Sequence, residues 1–209
     1  MRGLFLSLDG VDGGGKSTQI KLLAACLEQA GRSVLTLRDP GGTQLGEALR
    51  ELLLHRQEIP LDMTAEMLLY MASRAQLVSE VLAPALAAGQ VVIADRYLLA
   101  NVVYQGCAGG LDIDQIWQVG SVATGGLQPD LTFVLDLPVE LAMQRIDRGL
   151  DRLESRGLDY LRTVREGFLA QAQHLGEQAV VIDASDSVEA VQQQLIDTLR
   201  HRGLHGGAS

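Results

Sequence analysis

The sequence predicts an α/β fold, an open parallel five-stranded sheet flanked by helices. Three observations carry this. Short β-rich runs alternate with longer stretches of helical periodicity along the whole chain. Most of those runs are nearly continuous in apolar character, as strands covered on both faces must be. A glycine-rich segment, Gly10–Ser17, lies where the first run gives way to the first helix.

In order, the first strand is Leu4–Leu8, ended by Asp9. A helix over Ser17–Ala30 stops at Gly31, which supplies a left-handed C-terminal turn. A second strand, Val34–Leu37, precedes helices over Gly46–Leu54 and Ala65–Ala88, the latter stopped by Gly89. The third strand is Val91–Ala94, followed by a helix over Ile113–Thr124 and a fourth strand over Leu131–Leu137. Pro138 opens a helix over Val139–Arg148. Helix Tyr160–His174, strand Ala179–Ile182 and helix Val188–Arg200 complete the pattern, leaving a frayed tail over Gly203–Ser209. Nothing marks a second domain, so residues 1–209 are expected to form one.

Composition narrows the function. A chain of 209 residues, 47% hydrophobic, can bury a proper core, and a net charge of −9 argues against a broad nucleic-acid or acidic-membrane surface. Cys26 and Cys107 have no paired spacing, which suits a reduced cytoplasm. The apolar start is broken by Asp9, so it is expected to be a strand rather than a leader, and no run is long enough to span a membrane. His55, His174, His201 and His205 are scattered without metal-ligand spacing.

Gly10-Val11-Asp12-Gly13-Gly14-Gly15-Lys16-Ser17 fits the Gly-x-x-x-x-Gly-Lys-Ser/Thr phosphate-binding pattern. Its glycines let backbone N–H groups converge on a phosphate, and the following helix adds its N-terminal dipole. Lys16 can reach the outer phosphates, and Ser17 can offer its hydroxyl to Mg²⁺. This points to a nucleoside triphosphate site.

In open α/β sheets ligands bind beyond the carboxyl ends of the strands, so the residues there come next. They are Arg38-Asp39-Pro40-Gly41-Gly42-Thr43, then Asp95-Arg96-Tyr97 leading to Tyr104-Gln105-Gly106, then Asp136, then Asp183-Ala184-Ser185. Asp95 can serve a Mg²⁺ shell and Arg96 can fork onto a phosphate; alternatively the two simply pair with each other. The charged, glycine-interrupted segment Arg145–Arg156 reads either as a solvated salt-bridge surface or as a lid carrying arginines over a transferring phosphoryl group. Tyr70 and Arg74 share a helix face at i, i+4, which suits a core position or a nucleobase contact equally.

Taken together, these motifs resemble bacterial thymidylate kinases of the P-loop nucleoside monophosphate kinase group, from Leu4 to about Arg200. The matching pieces are Asp9–Ser17, Asp39–Thr43, the Tyr70–Arg74 helix, Asp95–Tyr97, Tyr104–Gly106 and Asp151-Arg152-Leu153-Glu154. The resemblance implies transfer of the γ-phosphate of ATP to dTMP with Mg²⁺, a homodimer, and a lid near residues 145–157. It implies that Gly10 to Thr18 and Ala184 bind ATP, and that Lys16, Asp12, Arg96, Arg148 and Arg152 serve catalysis. Ser17 and Asp95 would hold the metal. Asp12, Arg38, Tyr70, Arg74, Arg96, Asn101, Tyr104 and Gln105 would bind dTMP, with Tyr70 stacking on thymine and Arg74 and Gln105 reading its edge. Tyr104 would crowd the sugar 2′ position. The loop positions Val11 to Gly14 lack an arginine, as in the subtype whose lid supplies it.

Three positions depart from the family pattern: Asp39 where Glu is usual, Ala100 where Ser is usual, and Asn101 where Ser is frequent. They bear on acceptor binding rather than on the reaction. Three other readings stay open: a monophosphate kinase with another acceptor, a deoxynucleoside kinase using Asp12 or Asp39 as base, and an inactive nucleotide-binding regulator.

Overall fold

A computed structural model of the chain describes residues 3–56, 58–145 and 156–205. Five parallel strands form one sheet: β1 (Leu4–Asp9), β2 (Val34–Arg38), β3 (Val91–Asp95), β4 (Leu131–Asp136) and β5 (Ala179–Asp183), in spatial order β2-β3-β1-β4-β5. All five expected strands are present, within a residue or two of their expected ends.

Side chains alternate across the sheet and build two cores. Leu4, Leu6, Leu8, Val91 and Ile93 pack on one face with α1 (Lys16–Gln29), α8 (Leu158–Leu175) and α9 (Val188–His201). Phe5, Val92 and Ala94 pack on the other with α3 (Met63–Leu77) and α6 (Ile113–Thr124). Covering both faces explains why the strands read as unbroken apolar runs.

The remaining helices are α2 (Gln44–Leu54), α4 (Ala83–Ala87), α5 (Leu98–Asn101) and α7 (Val139–Gln144). Gly31 and Gly89 both have φ of +79°, as their expected role as helix stops requires. Helix 65–88 is not a single α-helix. After α3 the backbone widens into a π-helical turn, Val78–Leu82, before α4. Pro84 has no N–H, and its ring would meet the carbonyl of Glu80, so the wider turn relieves both conflicts. Of the helix expected over Val139–Arg148, α7 accounts for Val139–Gln144 and Arg145 caps it; the rest lies outside the described residues.

Register sets up the site. Leu8 pairs with Asp95, and Arg38 pairs with Asp95 from the other side, so the ends of β2, β3 and β1 lie side by side. The glycine-rich loop, Asp95-Arg96 and Arg38-Asp39 thus emerge at one edge. A turn absent from the sequence reading, α5 followed by the π-helical Val102–Cys107, carries Asn101, Tyr104 and Gln105 back over that edge.

Candidate active site

The phosphate loop is fixed by close packing beneath it. Gly10 and Gly13 have φ of +128° and +79°, and a Cβ on either would run into a backbone carbonyl, that of Leu135 or Ala142. Lys16 is buried and donates to the carbonyls of Gly10 (3.1 Å) and Val11 (2.9 Å), with Asp12 Oδ1 at 3.4 Å. Burial and the neighbouring Arg96 lower its pKa from the ordinary lysine value. Ser17 at the start of α1 donates its hydroxyl to Asp95 Oδ2 at 3.2 Å.

Arg96 is the pivot. It is the single non-glycine residue with positive φ among those described, at +71°. A left-handed arginine costs about 1–3 kcal/mol and persists only where its surroundings hold it. Here they do: its guanidinium donates to Gly10 O (2.9 Å), Asp12 Oδ1 (2.8 Å) and the Tyr104 hydroxyl (3.2 Å). Asp12, not its neighbour Asp95, is thus its ion-pair partner. Burial alone would raise the Asp12 pKa, but Arg96 and Lys16 outweigh it and hold the carboxyl well below the usual range. Asp9, fully buried at the end of β1, goes the other way. Burial raises it to about 6, with Arg96 and Lys16 opposing. Its Oδ2 accepts from Ser7 at 3.2 Å, while its Oδ1 has no partner.

Two clefts open from this edge. The first, about 330 Å³, is lined by Asp12, Arg38, Tyr70, Arg74, Arg96, Asn101, Tyr104 and Gln105, every acceptor-side residue that the sequence reading named. Tyr70 is both core and wall, packing on Leu53 and Leu54 while facing this cavity. Arg74 is more constrained than a free base-reading cation. Its Nε donates to Asp39 Oδ2 at 2.5 Å, and other donors reach Met71 Sδ and the Tyr97 carbonyl. Arg38 is held by Glu47 at 2.6 Å, whose other oxygen accepts from the Gly42 amide.

The second cleft, about 620 Å³, runs along Gly13, Gly14, Gly15, Lys16, Ser17 and Thr18 to Ala184, Ser187 and Val191. Arg145 closes its far side, donating to the Ala184 carbonyl at 3.3 Å. Gly10 and Val11 do not line this cleft. Their carbonyls accept from Lys16 instead, which keeps the ammonium beneath the loop. The two clefts share Asp12, Ser17 and Asp95. Arg148 and Arg152 lie outside the described residues.

Among the residues that sequence reasoning missed, two bear on the first cleft. Arg50 on α2 lines the first cleft and donates to the Pro40 carbonyl at 2.9 Å. Beside Glu51 on an amphipathic helix it looks like an ordinary solvated charge. Glu66 on α3 accepts from Gln105 Nε2 at 2.9 Å and pairs with Arg156 at 2.9 Å. Its signal was present: residues 66, 70 and 74 fall on one helical stripe.

The motif order, the shared junction and the strand-end placement agree with comparison to known proteins. The thymidylate kinase family model matches residues 8–195. The chain belongs to the thymidylate kinase family. It is 48% identical over 193 residues to the thymidylate kinase of Rhodopirellula baltica, covering 92% of this chain and 78% of that protein. It is 44% identical over 197 residues to that of Caldanaerobacter subterraneus subsp. tengcongensis, covering 94% of each. A thymidylate kinase of a Synechococcus strain is 47% identical over 199 residues, covering 95% of each. Family membership thus fits a fold in which both clefts lie at the carboxyl edge of the sheet.

Proposed function

We propose that this chain transfers the γ-phosphate of ATP to dTMP, giving ADP and dTDP. The observation that carries the reading is the pair of clefts meeting at Asp12, Ser17 and Asp95. One has the glycine-rich loop of a triphosphate site, and the other is a smaller pocket ringed by arginines. The thymidylate kinase relatives support thymidine monophosphate as the occupant of the smaller pocket.

The chemistry follows from charge. Both substrates are anions, so the site must first overcome their repulsion. Lys16 would hold the donor's outer phosphates, and Arg96, with Arg38 beside it, the acceptor phosphate. Arg145 and the lid arginines Arg148 and Arg152 would meet the charge spread over the transferring group. An acceptor that is already a phosphate oxyanion needs no general base. Asp12 suits that scheme, because a carboxylate held so strongly in its ionised form is a poor base. The same property weighs against a deoxynucleoside hydroxyl as the acceptor, as does the burial of Asp39 against Arg74.

The junction fits Mg²⁺. Ser17 Oγ and Asp95 Oδ2 are hard oxygen donors 3.2 Å apart, and no cluster of three or more His, Cys, Asp or Glu suited to a metal occurs among the described residues. Mg²⁺ is commonly held by one or two such groups together with substrate phosphates and water. When bound it would neutralise phosphate charge and orient the transferring group.

On the acceptor side Tyr70 would stack on the base, Arg74 and Gln105 would read its polar edge with Asn101 beside them, and Tyr104 would crowd a ribose 2′-hydroxyl. Asp39 would hold Arg74 in the wall while it does so. The resemblance to thymidylate kinases includes a homodimer in this reading, which light scattering would test. The free Cys26 and Cys107 suit a cytoplasmic setting, and no helix among the described residues is long and apolar enough to cross a membrane. A panel of nucleoside monophosphates with ATP and Mg²⁺, followed by ADP release, tests the reading. Turnover should be greatest with dTMP; ATP binding without ADP formation on any acceptor would leave a nucleotide-binding regulator instead.

A further inference from the structure

The amide of Gln105 is held at both ends inside the wall of the acceptor cavity. Asn101 Nδ2 donates to Gln105 Oε1 at 2.9 Å, and Gln105 Nε2 donates to Glu66 Oε1 at 2.9 Å. The other Glu66 oxygen accepts from Arg156 at 2.9 Å, and Arg156 donates in turn to the Tyr160 hydroxyl at 3.0 Å. Glu66, Gln105 and Asn101 are each at most 2% exposed, so these hydrogen bonds are shielded from bulk water.

These three side chains differ in one respect. An amide offers a donor at one end and an acceptor at the other, and it can turn over; a carboxylate paired with a guanidinium can only accept. Asn101 would satisfy either orientation of Gln105, but Glu66 would not. The direction of the whole chain is therefore set at Glu66. Asn101 Oδ1, at the free end, has no partner in the protein.

We propose that Glu66 is a specificity-determining positioning residue, fixing the hydrogen-bond polarity of Gln105 and Asn101 so that the cavity takes a 4-oxo pyrimidine and rejects a 4-amino one. Thymine presents an N3–H donor and an O4 acceptor on its Watson–Crick edge. Cytosine presents an N3 acceptor and an N4–H donor at the same two places. Turning over the amides exchanges donor for acceptor wherever either of them meets the base, so their polarity favours one base over the other. The inference rests on the dTMP reading of this cavity.

Glu66→Gln makes the test nearly isosteric. Arg156 has only donors, so it draws the new amide oxygen to itself and leaves an N–H facing Gln105. Gln105 must then turn over, and Asn101 after it. Steady-state kinetics of the full chain with ATP and either dTMP or dCMP should show the dTMP:dCMP ratio of kcat/KM falling at least about tenfold in Glu66→Gln, chiefly through a higher KM for dTMP. Glu66→Asp keeps an obligate acceptor and should keep the ratio even if both activities drop. An unchanged ratio in Glu66→Gln, an equal loss on both acceptors, or a ratio lost as fully in Glu66→Asp would overturn the proposal. Inactivity of the wild-type chain on dTMP would instead refute the underlying function.

Discussion

Asp39 Oδ2 lies 2.5 Å from Arg74 Nε, and the two side chains are 0% and 1% exposed. This ion pair joins the residue after β2 to α3 in the wall of the first cleft. Such a pair adds little net stability over an apolar one, yet breaking it strands a charge. Arg74→Met should therefore destabilise the fold by about 3–5 kcal/mol in urea unfolding, and adding Asp39→Asn should restore most of the loss. Two independent, additive losses would contradict the coupling.

Lys16 lies under the loop, and the proposed transfer assigns it to the donor phosphates. Lys16→Ala should lower kcat at least about 100-fold while the circular dichroism spectrum and dTMP affinity stay close to wild type. Near-normal turnover would remove Lys16 from the transfer step.

The left-handed backbone of Arg96 separates strain from chemistry. Arg96→Ala and Arg96→Gly should both lose transfer by orders of magnitude, since neither offers a guanidinium. The glycine variant should nonetheless be the more stable by about 1 kcal/mol, because only glycine takes that φ freely. Equal melting temperatures would mean that the conformation carries no strain.

Asp9 and Asp12 act oppositely on stability with pH. The folded pKa of Asp9 is raised from 3.8 to about 6, so the unfolded chain releases this proton first as pH climbs. Its contribution to stability falls between pH 4 and pH 6, reaching a constant penalty of about 3 kcal/mol above that window. Asp12 is shifted down, so its stabilisation is full above the ordinary carboxyl pKa of 3.8 and is lost as pH falls below it. Comparing Asp9→Asn with wild type across pH 4–8, the variant should gain relative stability as pH rises. A difference independent of pH would refute the assignment.

What was legible in the sequence was what is local. Strand runs, the glycine-rich loop and the Asp95-Arg96 pair each declare themselves within a few residues, and all reach the carboxyl edge of the sheet. The turn over 98–107 was not legible. Tyr97 gives it no side-chain cap, and β-branched Val102 and Val103 weaken its helical signal. Arg50 and Glu66 were missed because their roles come from partners distant in sequence: Pro40 for one, Gln105 and Arg156 for the other. Arg74 was placed in the right cavity, but its pairing with Asp39 across 35 residues left no trace in spacing.

The central claim is that both clefts open onto one transfer point at Asp12, Ser17 and Asp95. Calorimetry with adenosine and thymidine joined through a 5′,5′-polyphosphate bridge tests it most directly. One molecule should bind per chain, far more tightly than ATP or dTMP alone, and either nucleotide should compete with it. Affinity no better than that of ATP, with no competition from dTMP, would contradict the account.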